Sequence, residues 1–332
     1  MEQAILNYRY VSQDDSILAP YYKTISTYCI DYIPINMSPN LITLIGLTGV
    51  FVSTFITIFL KNYIGLLATC VICSTLLLFY QIMDTLDGMQ GKRVNMYYNP
   101  TTELFDHGCD SITTTLVLYN LLNLTNSINQ DPLGSIILIL CTLINFYLPT
   151  WQHANTKIMH FRGGFFNPTE SIFFIKILYI CIGLFPSIFC NFYVVRFFLL
   201  NMIVSTIYHT YVSVVDTYKT TKKTYFNTTL SFVPLLMSYQ FVIYSIAYGH
   251  YDGFYINTSL SLLIAILNLI WYEISETEFD IYTSFLAHVF ASCQNPLSAI
   301  CAIGLYIYLF RKYTIIMCKI LKMETFYSIP KN

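Results

Sequence analysis

The chain has 332 residues, of which 55% are hydrophobic, 17% aromatic and only 11% charged, with a formal net charge of -1. A soluble domain carries roughly 25% charged residues, so this composition excludes an ordinary soluble globule and makes the bilayer the solvent of the fold. The near-neutral balance, without a Lys/Arg tract, also excludes nucleic acid as a partner.

The first stretch, Met1–Asp15, is polar and slightly acidic. It lacks the basic patch, short apolar core and small-residue cleavage site of a signal peptide, so no cleavage is expected. Ser16–Met37 mixes Tyr and Ile with Lys23 and Asp31 and reads as an interfacial helix. Apolar runs then predict an all-α, polytopic integral membrane protein with about ten transmembrane helices: Leu41–Leu60, Ile64–Met83, Ser111–Ile128, Ser135–Leu148, Ser171–Phe189, Tyr193–Val212, Leu230–Tyr248, Ile256–Trp271, Ile281–Ala291 and Leu297–Phe310. Ser38 can cap the first of them, with Pro39 at the first helical position, where a missing N–H costs nothing. The expected organisation is an N-terminal cytosolic or interfacial segment over 1–40, one membrane domain over 41–310 and a cytosolic tail over 311–332. There is no internal repeat of fixed period.

An even number of spans puts both ends of the chain on one side. Of the 17 Lys and Arg, all but Lys61, Lys176 and Arg196 then fall on that same side. Lys61 lies opposite, and the other two lie within spans. The positive-inside bias makes the Lys-rich side cytosolic, including the loop with Lys92 and Arg93.

Between the second and third runs, Asp84 and Asp87 are spaced i, i+3 and Asp106 and Asp110 are spaced i, i+4, with Glu103 and His107 among them. Each pair projects from one face of its helix, so two carboxylate pairs on consecutive helices can converge. Each ionised carboxylate near the bilayer interior costs about 2.5–3.5 kcal/mol, so four left unpaired cost on the order of 10 kcal/mol. Lys92 and Arg93 are long enough to face the cytosol, whereas one or two Mg2+ or Mn2+ ions satisfy the carboxylates directly. Gly88, Gly91 and Gly108 punctuate the same segment, either for close approach of a ligand or for helix packing.

These residues carry a family resemblance. Asp84-x-x-Asp87-Gly88-x-x-Gly91-Lys92, followed by Asp106-x-x-x-Asp110, resembles the signature of the CDP-alcohol phosphotransferases. Glu103-Leu104-Phe105-Asp106-His107-Gly108-Cys109-Asp110-Ser111 is similar to the form in eukaryotic choline and ethanolamine phosphotransferases. Pro39-Asn40-Leu41-Ile42-Thr43-Leu44-Ile45-Gly46 resembles the segment opening their first span, and Phe161-Arg162-Gly163 with Thr169-Glu170 resembles a later loop. Gly91 stands where the family has Ala, Lys92 where it has Arg, and Thr102 where it has Gly.

The resemblance implies transfer of phosphocholine or phosphoethanolamine from CDP-choline or CDP-ethanolamine to diacylglycerol among membrane lipids. It implies two ions held by Asp84, Asp87, Asp106 and in part Asp110. Asp110 and His107, the latter poised by Glu103, are the two candidate bases. Asn40, Gly88, Gly91, Lys92 and Arg93 are candidates for holding the nucleotide and its phosphates. A homodimer and an endoplasmic reticulum or Golgi membrane, with the active site facing the cytosol, are family expectations. The rival readings are an intramembrane Mg-dependent prenyltransferase and a cation transporter. The first needs a second Asp-rich motif, for which only Glu273, Glu276, Glu278 and Asp280 are available, and that run reads as a solvated loop. Transport does not call for the nucleotide cradle that Asp87-Gly88 and Asp106-His107-Gly108 suggest. His153, His160, His209, His250 and His288 share no ligand spacing. Cys70-x-x-Cys73 lacks a second Cys/His pair, so it reads as two small hydrophobes.

Overall fold

A computed structural model of the chain describes residues 1–161, 167–221, 223–248, 254–293 and 295–329. Arg162, Gly163, Lys222, His250 and Lys331 lie outside the described residues. The main helices are α1 (Glu2–Leu6), α2 (Ala19–Cys29), α3 (Pro39–Phe55, continued through a π turn at Ile56–Leu60), α4 (Leu66–Arg93), α5 (Pro100–Leu124) and α6 (Pro132–Thr156). They continue with α7 (Pro168–Leu184), α8 (Phe192–Thr220), α9 (Val233–Tyr248), α10 (Phe254–Ser275), α11 (Ile281–Ser292) and α12 (Pro296–Ile320). Ser12–Asp14 and Met159–Phe161 are the strands among the described residues.

Each expected apolar run falls on one of α3 to α12. Six helices are long and apolar enough to cross a membrane by length and composition: Pro39–Ile64, Leu66–Arg93, Pro132–Thr156, Phe192–Thr220, Tyr255–Ser275 and Pro296–Ile320. The fold is therefore all-α and polytopic. Several helices start on one device, a polar cap followed by proline. The side chains of Ser38, Asn99, Asp131 and Asn167 accept from the N–H groups of Leu41, Thr101, Gly134 and Thr169, and Pro39, Pro100, Pro132 and Pro168 follow. Gly65, at φ 86, makes the turn between α3 and α4, a backbone conformation in which a Cβ would be strained.

The chain forms two compact units. One comprises Met1–Val11, Asn129–His160 and Arg196–Met317. Here α6 packs on α10, with α9 and α11 beside them and α1 against α10. Glu273 is a correction to the expected solvated loop: α10 runs on past Trp271, so Glu273 is buried in its last turn while Glu276 and Glu278 are exposed. Lys157 Nζ compensates the burial, donating to Glu273 Oε1 at 3.2 Å and to the Glu273 carbonyl at 2.7 Å. Burial of a carboxylate requires such pairing.

The other unit comprises Ser12–Ile128, Phe161–Val195 and Cys318–Asn332. In it α3 lies against α4 and α5, while α4 also packs on α7 and α2. Gly46 lets α3 approach α4, since a Cβ there would lie 2.9 Å from Met83 Cβ. Cys70 and Cys73 are buried among Val50, Leu77, Val117, Tyr179 and Ile182, as small hydrophobes should be. On α2, Tyr22 and Ser26 are buried, whereas Tyr21, Ile25 and Tyr28 are exposed along one stripe. Lys176, within α7, donates to Tyr22 Oη at 2.7 Å and Gln81 Oε1 at 2.6 Å.

Glu170, part of the expected later-loop motif, caps α2 from outside. Its Oε1 accepts from Ser16 Oγ, Ile17 N and Leu18 N at 2.8, 2.7 and 2.9 Å. Burial alone would raise its carboxyl, but these donors prevail and hold it below the ordinary range. A lowered folded value stabilises above the unfolded value of about 4.3, and that contribution is lost as pH falls through the folded value. Glu170→Gln keeps an acceptor oxygen but loses the charge, and is expected to cost roughly 1 kcal/mol, the difference between a charged and a neutral acceptor. It should lower the melting temperature of the purified protein at neutral pH, and the gap from the parent should close below about pH 4.

Candidate active site

The acids stand on helical extensions of the apolar runs. The last ten residues of α4 follow Met83 and carry Asp84 and Asp87, and the first turns of α5 carry Glu103, Asp106, His107 and Asp110. Asp84, Asp87 and Asp106 each offer a carboxylate oxygen, all within 4.8 Å of one another. Asp106, His107 and Asp110 form a second such group, again within 4.8 Å, so Asp106 links the two. The convergence expected from the i, i+3 and i, i+4 spacings is present. Asp87 is buried, and the other three acids are half-buried.

Two side chains that the sequence reading had not singled out hold the cluster. Thr43 Oγ1 on α3 donates to Asp87 Oδ2 at 2.5 Å, and the Tyr80 hydroxyl on α4 donates to Asp110 Oδ1. Both were available as spacing signals, Thr43 one turn after Asn40 and Tyr80 one turn before Asp84. Asp106 Oδ1 is buried and has no hydrogen-bond partner among the described residues. An oxygen-rich donor set with a buried, unpartnered carboxylate oxygen fits a hard divalent cation.

His107 Nδ1 lies 3.0 Å from Glu103 Oε1, and both side chains are buried. A carboxylate facing Nδ1 favours the tautomer with its hydrogen on that nitrogen.

The remaining candidates divide. A Cβ built on Gly88 meets nothing within 4 Å, so packing does not explain that glycine. On Gly91 it would meet the Tyr97 backbone at 3.6 Å and Pro39 at 3.8 Å, which is ordinary contact. Lys92 is exposed, with Nζ 4.5 Å from the Tyr97 ring centroid. Arg93 Nη1 donates to the carbonyls of Ile30 and Ile33, both at 3.0 Å, tying the turn after α2 to the end of α4. Asn40 Nδ2 donates to the Phe326 carbonyl at 2.9 Å. The Thr102 hydroxyl is buried without a partner among the described residues.

No protein-family model matches the chain. Curated proteins do. An uncharacterized CDP-alcohol phosphatidyltransferase class-I family protein of Dictyostelium discoideum is 34% identical over 191 residues, 56% of this chain and 46% of that one. Cholinephosphotransferase 1 of Mus musculus is 31% identical over 157 residues, 46% of this chain and 39% of that one. Cholinephosphotransferase 1 of Saccharomyces cerevisiae is 30% identical over 187 residues, 54% of this chain and 45% of that one. Over about half of its length the chain is thus similar to a CDP-alcohol phosphatidyltransferase class-I family protein and to two cholinephosphotransferases. It spans less than half the length of these relatives.

Two variants separate the acids from the glycine. Asp106→Asn should weaken Mn2+ binding by at least roughly tenfold, read by titration of the solubilised protein. Gly88→Ala should leave Mn2+ binding intact and raise the melting temperature, since alanine favours a helix by about 1 kcal/mol and has room here.

Proposed function

We propose that the chain transfers phosphocholine or phosphoethanolamine from a CDP-alcohol to the free hydroxyl of diacylglycerol, yielding the phospholipid and CMP. The carrying observation is the linked group of Asp84, Asp87, Asp106 and Asp110 with the His107–Glu103 pair at its edge. The two relatives named cholinephosphotransferase 1 support a CDP-alcohol donor.

Asp84, Asp87, Asp106 and Asp110 would hold one or two Mg2+ or Mn2+ ions. A bound divalent cation supplies neutralisation of the diphosphate charge. Thr43 keeps one Asp87 oxygen oriented, and Tyr80 does so for Asp110. Gly88 leaves open space beside the acids, suited to close approach by the nucleotide phosphates. Asn40, Gly91 and Lys92 lie on the same helix ends. Arg93 contributes by anchoring the end of α4 through the carbonyls it already bonds.

In the reaction the lipid hydroxyl oxygen bonds to the phosphorus bearing the amino-alcohol. The bond from that phosphorus to the bridging oxygen breaks, and CMP leaves with the electron pair. His107 Nε2 accepts the hydroxyl proton, and Glu103 stabilises the imidazolium through Nδ1. Asp110 is the lesser base, because one of its oxygens already accepts from Tyr80. His107→Ala should lower the maximal rate roughly 10²–10⁴-fold in an assay with diacylglycerol and each CDP-alcohol in turn, while Mn2+ titration stays near the parent. Near-normal turnover would move the base to Asp110.

The ten-span topology belongs to the same reading, with the site at the cytosolic face of an endoplasmic reticulum or Golgi membrane. The exposed Tyr21, Ile25 and Tyr28 stripe suits α2 to the membrane interface. Single cysteines at Lys219 and at Asn95 should both react with an impermeant thiol reagent from the cytosolic side of sealed vesicles. Labelling of position 219 from the lumen would overturn the ten-span arrangement.

A further inference from the structure

The two helices that carry the acids are joined by the short link at residues 94–99. It is held close to α4, with the Val94 N–H on the Gln90 carbonyl at 2.9 Å and the Met96 N–H on the Gly91 carbonyl at 2.8 Å. Met96 is buried there, whereas Tyr97 is half-buried and Tyr98 is exposed. Asp87 and Gly91 lie one turn apart on the same face of α4, and a Cβ on Gly91 would point at the Tyr97 backbone, 3.6 Å away. Tyr97 therefore stands about one helical turn beyond Asp87, on the face that Asp87 shares.

Its ring already holds a cation. Lys92 Nζ lies 4.5 Å from the Tyr97 centroid, and among the described residues that ammonium makes no hydrogen bond and no ion pair. Tyr98 packs against Tyr97 edge to face, with centroids 5.0 Å apart at 74°. Burial, then Tyr98, then the Glu103 carboxylate push the Tyr97 hydroxyl up, so the negative charge of Glu103 is felt at the ring. Other lysines over tyrosine rings are fixed differently. Lys176 is hydrogen-bonded to Tyr22 and Gln81, Lys223 has Glu276 and Glu273 in its field, and Lys312 Nζ stands 6.0 Å from the Tyr313 centroid. A ring face holds an exposed ammonium more weakly than a charged phosphate oxygen does. A diphosphate at the acids therefore draws Lys92 off Tyr97 and uncovers the ring.

We propose that the Tyr97 ring is the seat of the amino-alcohol's ammonium and favours choline over ethanolamine, with Lys92 occupying that seat until a diphosphate draws it away. This rests on the proposed function for the chemistry of the donor. The P–O–C–C–N chain of a phospho-amino-alcohol reaches about one helical turn, the step that separates Asp87 from Gly91 and Tyr97. A quaternary ammonium has no N–H to satisfy, so a ring face suits it. The primary ammonium of ethanolamine is strongly hydrated and keeps three donors, which a ring face does not satisfy.

The test uses the full chain in lipid nanodiscs with Mn2+ and diacylglycerol. It reads kcat/KM for CDP-choline and for CDP-ethanolamine, and the Kd of CMP, which has no headgroup. The parent should favour CDP-choline. Tyr97→Leu should lower kcat/KM for CDP-choline about fivefold or more, through KM, while CDP-ethanolamine and the CMP Kd change less than about twofold. Tyr97→Phe should keep the parent's preference. In Tyr97→Phe bearing one, two or three ring fluorines, the CDP-choline value should fall stepwise, because fluorine strips the negative face at nearly constant size. Should Tyr97→Leu fail to fold, the fluorine series decides. No loss in Tyr97→Leu, an equal loss with both CDP-alcohols, a flat fluorine series or a parent that favours CDP-ethanolamine overturns the ammonium seat and leaves the proposed function standing. A CMP Kd raised as much as the KM for CDP-choline also overturns it, making the ring a platform for the base. If the parent turns over neither CDP-alcohol, the proposed function fails and the seat fails with it.

Discussion

Carboxylate oxygens gathered within 4.8 Å of one another impose a cost that the surrounding structure has to manage. At an effective dielectric near 20, two unit charges roughly 5 Å apart repel by about 3 kcal/mol, and several such pairs accumulate here. The hydrogen bonds from Thr43 and Tyr80 return roughly 1.5–3 kcal/mol each, because they go to charged acceptors. They orient the acids without cancelling the repulsion. Divalent cations are of the right order to do so, which is why the cluster reads as a site and not as a packing feature.

The helices that hold the acids are built to be stiff where the acids stand. α4 and α5 each extend well beyond the apolar run that defines them in sequence, so the carboxylates sit on regular helix and inherit its periodicity. Asn99 with Pro100 fixes where α5 begins, as Ser38 with Pro39 does for α3. Close approach of α3 to α4 at Gly46 then brings Thr43 to Asp87. A displacement of either helix start would be felt at the cluster, since one coordination shell tolerates little misplacement.

The periphery of the same unit is tied to these helices by polar contacts. Arg93 and Gln90, near the end of α4, reach the carbonyls of Ile30, Ile33, Pro34, Ile35 and Met37, fixing the connection from α2 to α3. Glu170 caps α2 from the start of α7, and Lys176 reaches Tyr22 and Gln81 from the next turns. A cation such as Lys176 is retained at membrane depth only with partners, and here they are neutral oxygens backed by the Tyr22 ring. These contacts join α2, α4 and α7 into one polar-tied frame.

Much of this was legible in the sequence because it depends on local pattern. Hydropathy gave the helix positions, since the length of an apolar run reports the thickness it must cover, and the i, i+3 and i, i+4 spacings gave the convergence of Asp84, Asp87, Asp106 and Asp110. Glu103 and His107 pair one turn apart on the same helix, so their contact was also local. What sequence could not supply depends on which distant segments meet. Thr43 and Tyr80 matter because α3, α4 and α5 pack together, Arg93 turns to carbonyls because α2 ends beside it, and Asn40 meets Phe326 across 286 positions. Glu273 looked solvated because its neighbours are acidic, and only the extension of α10 against α6, with Lys157 in reach, made its burial affordable. Local periodicity determines which faces exist, and tertiary packing decides which groups share a face, because side-chain partners are chosen by space and not by separation along the chain.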